Sequence, residues 1–328
     1  NNIVSKYLQE SGISFSDMSL NLRNDSLITI DGNVTNFITG GTLLDTISIS
    51  AYQRGKNLVY DAAVNNRPGT MDEFAHMRLN GFIANNRLSA FLNQSNIAGE
   101  TGYSLGLLAS MADSTVTARL VPTSPTIAYR KWTLNSDNFL SYNLYNGYIK
   151  GDVSLSNGNS LIRVYTSPGD TPDGPEDLLA QLRDVHLSDW LAMTPFAPPI
   201  SGDLSADVRV KYIDRQLTGN GSIALADFKY DNNRVGNLNA DIGVNIEPST
   251  GLLRAEADLM VDSVKTMTLS GVLNDSTAVN PMLLDFTVIR FPLKVANAFI
   301  PDGVATLSGT LNGKMKITGK GSDPVFDG

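Results

Sequence analysis

Strict alternation of apolar and polar residues constrains this chain more than any other feature. From Asp203 to Tyr212, Leu204, Ala206, Val208, Val210 and Tyr212 interleave with Asp203, Ser205, Asp207, Arg209 and Lys211. Successive side chains of an extended strand point to opposite faces, so this period of two places every apolar residue on one side and every polar residue on the other. A helix would scatter the same residues around its circumference. The pattern returns at Leu253–Val261, and in shorter form at Ile47–Ser50, Met77–Gly81, Leu88–Phe91, Val116–Leu120, Val153–Leu155, Leu238–Ile246, Leu284–Val288 and Met315–Ile317.

Between these runs lie Asp31-Gly32, Gly40-Gly41, Pro68-Gly69, Ser156-Asn157-Gly158-Asn159, Gly219-Asn220-Gly221 and Asp231-Asn232-Asn233, residues that accept hairpin turns. The spacing predicts roughly 18–24 strands connected up and down, too many for one ordinary open sheet. Composition agrees: only 18% of residues are charged, and Asn, Ser, Thr and Gly stand where helices would carry Glu and Lys. One amphipathic helix is expected over Glu176–Leu191, opened by acidic residues and ended by the prolines at 195, 198 and 199. A shorter helix or turn is expected at Leu293–Phe299. The Pro- and Gly-rich stretch from Ser167 marks a boundary, giving a β-rich part over residues 1–166, a connection with the helix over 167–200, and a second β-rich part over 201–328.

The side-chain inventory excludes much chemistry. No cysteine is present, which removes thiolate catalysis, cysteine zinc sites and redox switching. The only histidines are His76, near Asp72 and Glu73, and His186, near Asp184 and Asp189; neither belongs to an assembled catalytic constellation. A net charge of −8 with no basic run argues against nucleic acid. Gly309–Lys314 is one residue short of a phosphate loop and alternates like a strand, and the acidic stretch Asp170–Asp177 matches no calcium-loop spacing. The reading is a protein that is not an enzyme, with no cofactor and no metal. The first ten residues carry neither a signal peptide nor a membrane span, and the strand pattern running to both ends reads as a piece of a longer chain.

The alternation itself then carries the functional argument. Each Leu, Val, Ile or Phe side chain left in water on the apolar face forgoes about 1.5–3 kcal/mol, so something apolar must cover it, either a second sheet or a hydrophobic ligand.

Leu307–Gly319, with its Gly309, Gly313 and Gly319, followed by Asp323-Pro324-Val325-Phe326-Asp327-Gly328, resembles the glycine-punctuated strand repeat of the TamB family, relatives of AsmA-like proteins. Phe291-Pro292-Leu293 and Phe299–Gly303 are similar to the family's lead-in to that repeat. Ser201–Ala206, Leu217–Ile223 and Tyr129–Leu134 resemble its strand entries, so the likeness runs over about Pro125–Gly328. It implies a periplasm-spanning protein of the Gram-negative cell envelope, anchored in the inner membrane by a segment outside this sequence and reaching an outer-membrane partner of the TamA/BamA type. It also implies an all-β fold, an elongated antiparallel sheet curled into a β-taco with a greasy inner groove. Roughly 18–24 strands at about 4.8 Å each would run some 85–115 Å. Phospholipid acyl chains would then cover the apolar face, lined by Leu204, Val208, Val210, Ile223, Leu225, Leu259, Val261, Phe286, Val288, Met315 and Ile317, and lipids would pass between the membranes. The alternative is a scaffold that assembles outer-membrane proteins by β-augmentation.

Overall fold

A computed structural model of the chain describes residues 12–25, 27–39, 42–168, 176–191, 198–213, 216–231, 233–247, 249–274, 281–300, 304–320 and 322–328. The fold is all-β and antiparallel, with 22 strands and only short helical turns among the described residues. It divides into two compact units, residues 1–157 with 192–195, and residues 158–191 with 196–328.

The first unit begins with β1 (Asp17–Asn24), β2 (Ile28–Thr39), β3 (Thr42–Arg54), β4 (Asn57–Asn65), β5 (His76–Ala84), β6 (Arg87–Ser95), β7 (Thr101–Ala112) and β8 (Thr115–Ile127), each paired with the next. After the short β9 (Arg130–Lys131) and β10 (Thr133–Leu134), the sheet resumes with β11 (Phe139–Asn143) on β8 and β12 (Ile149–Asn157) on β11. In the second unit β13 (Ser160–Ser167), β14 (Asp177–His186), β15 (Ile200–Ile213), β16 (Gln216–Tyr230), β17 (Asn233–Ile246), β18 (Leu253–Val261), β19 (Val264–Asn274), β20 (Met282–Pro292), β21 (Thr310–Lys320) and β22 (Asp323–Asp327) pair strictly in sequence. Among the described residues no pairing closes either ladder into a barrel.

The curl of the second unit has a local cause. Near one end of its strands the ladder slips at β14, β16, β19 and β20, and each slip inserts extra backbone opposite the neighbouring strand. Bulges of this kind bend the strand and raise its twist. Three of them share one device. Asp184, Asp227 and Arg290 take positive φ, and the amide of each donates to a polar side chain of the adjacent strand: Ser205 Oγ at 3.2 Å, Asn237 Oδ1 at 2.9 Å and Asn312 Oδ1 at 2.8 Å. The amides freed by the slip are thereby satisfied.

Three local expectations are corrected. Glu176–Leu191 is not one helix: Asp177–His186 is β14, and only Leu187–Leu191 forms a turn of helix, α1. The stretch carries both periods, and pairing of Leu178, Ala180 and Leu182 with Val210, Val208 and Ala206 selects the extended one. Asp31-Gly32 and Gly219-Asn220-Gly221 are not turns either, because both lie inside strands. A Cβ on Gly219 would stand 2.4 Å from the Arg209 carbonyl oxygen, so glycine there permits close approach of two backbones rather than a reversal. Gly40-Gly41 and residues 169–175 lie outside the described residues.

Candidate functional site

The register of the second unit gathers the candidate groove residues on one face. Val208 stands opposite Gly221, which faces Ile242, then Ala257, Leu269, Phe286 and Met315. A parallel row runs through Ala206, Ile223, Ala240, Leu259, Met267 and Val288, and another through Val210, Gly219, Val244, Ala255, Gly271, Leu284 and Ile317. Leu204, Leu225, Leu238 and Val261 form the row nearest the bulges. The opposite face shows what alternation excludes from these rows: Asp207, Ser222, Asp241, Asp258, Thr268, Thr287 and Lys314 follow one another there.

Most of this apolar face is only partly covered. Leu204, Val208, Val210, Ile223, Leu225, Leu259, Phe286, Val288, Met315 and Ile317 are half-buried, and Ile242 is 40% exposed. The strands pack against their ladder neighbours, and among the described residues no facing sheet lies on them. Ala206, Ala255 and Leu284 in the same rows are buried, and Val261 is 2% exposed. It lies under the 3₁₀ turn Leu293–Phe299, in a cluster with Val235, Val295 and Ala298, while Tyr230 and Phe299 stack with ring centroids 4.7 Å apart. The face is therefore closed by polypeptide at one end of its strands and open along their middle.

The middle also contains a hollow. Gly219 and Gly221 sit side by side on β16 between Val208 and Val210 on one flank and Ile242 and Val244 on the other. The missing side chains leave a depression of about 280 Å³ floored by backbone. Sequence reasoning missed Ile242, Val244 and Leu269, although the alternation of Leu238–Ile246 carried the first two.

The repeat glycines are spread along the last hairpin. Gly309 precedes β21 and its carbonyl accepts from Leu293 N at 3.0 Å; Gly313 faces Val288; Gly319, at φ +99°, pairs with Pro324 on β22.

Each histidine finds a partner across the ladder. His76 Nδ1 contacts Asn65 Oδ1 at 3.0 Å, and His186 Nδ1 contacts the Asp203 carboxylate directly across the β14–β15 ladder. Asp177 is buried, accepts from Arg209 Nε at 2.7 Å and lies 3.7 Å from Lys211 Nζ; Asp170 and Asp173 before it lie outside the described residues. No metal-ligating cluster occurs among the described residues.

The first unit carries an apolar face of its own, with Val34, Ile47, Val64 and Met77 in one row and Ile49, Ala62, Leu79, Leu92 and Leu105 in another. One end is covered by the loop between β4 and β5. Buried Asp45 fastens it, accepting from Arg67 Nε at 2.9 Å, from Arg67 Nη2 at 2.6 Å and from the Arg67 amide, while Asn66 Nδ2 donates to Phe74 O at 2.8 Å. These bonds from Arg67 hold the Asp45 carboxyl below its ordinary 3.8. Trp132 covers the same end further along, 4% exposed, with Nε1 donating to Ile127 O.

No helix among the described residues is long and apolar enough to cross a membrane. No protein-family model, curated protein or solved structure matches the chain.

Proposed function

We propose that the open apolar face of the second unit holds phospholipid acyl chains and passes them from strand to strand, as part of a TamB-like protein of the periplasm that conducts lipid between inner and outer membranes. The observation that supports this reading is the set of cross-strand apolar rows left without a facing protein layer. An acyl chain lying on them removes the surface from water in place of a second sheet. Movement along the rows exchanges one apolar contact for an equal one, while escape into water costs about 0.8 kcal/mol per CH₂ exposed. Such conduction needs no catalytic group. The polar outer face keeps the guest on one side.

Mass spectrometry of the organic extract from purified protein tests the reading. Wild-type protein should carry phospholipid, and replacing both Val208→Asp and Leu259→Asp should remove it while circular dichroism stays that of a β-sheet. Lipid retained by the folded double variant would end the proposal. Loss of lipid with undiminished assembly of outer-membrane proteins, on a strand edge such as the fully exposed β22, would separate a scaffold activity from the conduit.

A further inference from the structure

The outer face of the first unit breaks the polar rule near its hairpin tips. Tyr52, Val59, Phe82 and Leu108 fall in one cross-strand row, interrupted only by Ser89, on the side that alternation otherwise reserves for polar residues. Tyr52, Phe82 and Leu108 are each about two-fifths exposed, so this row is not a core. Arg23 and Arg119 stand at its two ends, and Arg54 and Arg87 lie one row nearer the tips, with Lys56 in the β3–β4 turn. All five cations are exposed, and among the described residues none has an ion-pair partner. The acidic residues nearby are Asp25 and Asp113 at the tips, Asp31 in the outer row next further from the tips, and Asp61, which Arg78 already neutralises at 2.6 Å. Cations thus prevail here in a chain whose net charge is −8.

The tips themselves are bound into an edge. Met111 N donates to Asn86 O and Leu144 N to Ser114 O, both at 2.8 Å, tying the β5–β6, β7–β8 and β11–β12 turns together. The last of these turns projects Leu144, 56% exposed, and Tyr145, 93% exposed. From β3 to β8 the edge is about 24 Å wide at ~4.8 Å per strand.

We infer that this edge of the first unit rests on an anionic bilayer surface, its arginines and lysine on lipid phosphates and Leu144 and Tyr145 in the headgroup layer. Arginine and lysine flanking exposed aromatic and aliphatic side chains is the arrangement that the membrane–water interface rewards. Adjacent hairpin tips present these cations with Leu144 and Tyr145 along one edge, whereas an acidic peptide would need a groove to gain comparable contact. The inference does not depend on lipid in the second unit.

Vesicle co-sedimentation of the whole chain tests it. The protein should bind vesicles containing about one-third phosphatidylglycerol in phosphatidylcholine, release them at about 0.5 M salt, and ignore pure phosphatidylcholine. Reversing Arg54→Glu, Lys56→Glu and Arg87→Glu together should weaken binding by about 100-fold, and Leu144→Ser with Tyr145→Ser by about tenfold. Lys314→Glu with Lys316→Glu, on the outer face of the second unit, should leave it unchanged. If the reversed protein misfolds by circular dichroism, the Gln substitutions at the same three positions take its place. Absence of wild-type binding, or equal binding by the tip variants, overturns the inference. So does equally tight, Tyr145-independent binding to soluble polyglutamate, which would mark the edge as a site for acidic protein.

Discussion

The two units obey the same alternation but use it differently. In the second, the inner rows hold only aliphatic, aromatic, methionine and glycine residues from β15 to β21, and the middle outer row, Asp207 to Lys314, is polar throughout, while Val272 and Leu283 lie in the outer row toward one end. In the first, Tyr60 interrupts the inner face, its hydroxyl donating to Ser89 O at 2.6 Å, and buried Gln94 faces half-buried Tyr103 further along. Burial raises the Tyr103 pKa above its ordinary 10.0. The first unit's outer face, meanwhile, carries the apolar row ending on Arg23 and Arg119. Amphipathic strands therefore do not by themselves make a smooth groove; smoothness requires that no position on the inner face hold a hydrogen-bonding group, a condition that the middle of the second unit meets.

The covers differ as well, and substitutions at them should separate the units. Trp132→Ala removes the large side chain that closes the first unit and should cost about 3–5 kcal/mol, whereas Val295→Ala at the cover of the second should cost about 2 kcal/mol. Urea unfolding followed by hydrogen exchange, resolved by unit, checks both; equal losses would show that the covers bear equal weight. The glycines on the two inner faces provide a second contrast. Gly271 sits at φ +150°, where an added Cβ would lie 2.1 Å from Leu283 O, so Gly271→Ala should destabilise by about 3 kcal/mol. At Gly32 the nearest atom is the mobile end of Leu20 at 3.3 Å, and Gly32→Ala should change stability by less than about 0.5 kcal/mol. Urea midpoints decide.

The smallest effect concerns acid. Because the Asp45 carboxyl is held below 3.8 in the folded protein, its contribution is present above the unfolded value and is lost as pH falls through the lower folded one. The amide proton of Arg67, which donates to that carboxylate, should therefore titrate with a midpoint below 3.8 by NMR, and the titration should vanish in Asp45→Asn. In the second unit the counterpart is Glu247: bonds from Thr250 and Arg254 hold its carboxyl below its ordinary 4.5, so its contribution is lost in the same direction as pH falls.

Much of this was legible in the sequence because side-chain direction in a strand depends only on parity. Leu204, Val208 and Val210 had to share a face once they were extended, and register then carried that face to Leu259, Phe286 and Ile317. What the sequence did not reveal depends on neighbours in space. Leu178–Leu191 fits two periods, and pairing with β13 and β15 chooses between them. Gly219 and Gly221 read as a turn until the backbone of β15 is seen pressed against them. His186 lies next to Asp184 in the chain, yet a bulge at Asp184 and the ladder together hand it to Asp203. The basic tip edge was invisible for the same reason: Arg23, Arg54, Arg87 and Arg119 are scattered in sequence and meet only across strands.

The fastening of the bulges has a consequence for growth. Each bend is fastened by side chains of the strands directly beside it: Ser205 and Ser160 at Asp184, Asn237 at Asp227 and Asn312 at Arg290. Curvature is thus specified hairpin by hairpin, like the stitches of a hem. A duplication that inserts a further hairpin, or a deletion that drops one, would leave the remaining cross-section as it was, so the reach of such a protein can be lengthened or shortened in evolution without redesigning its shape.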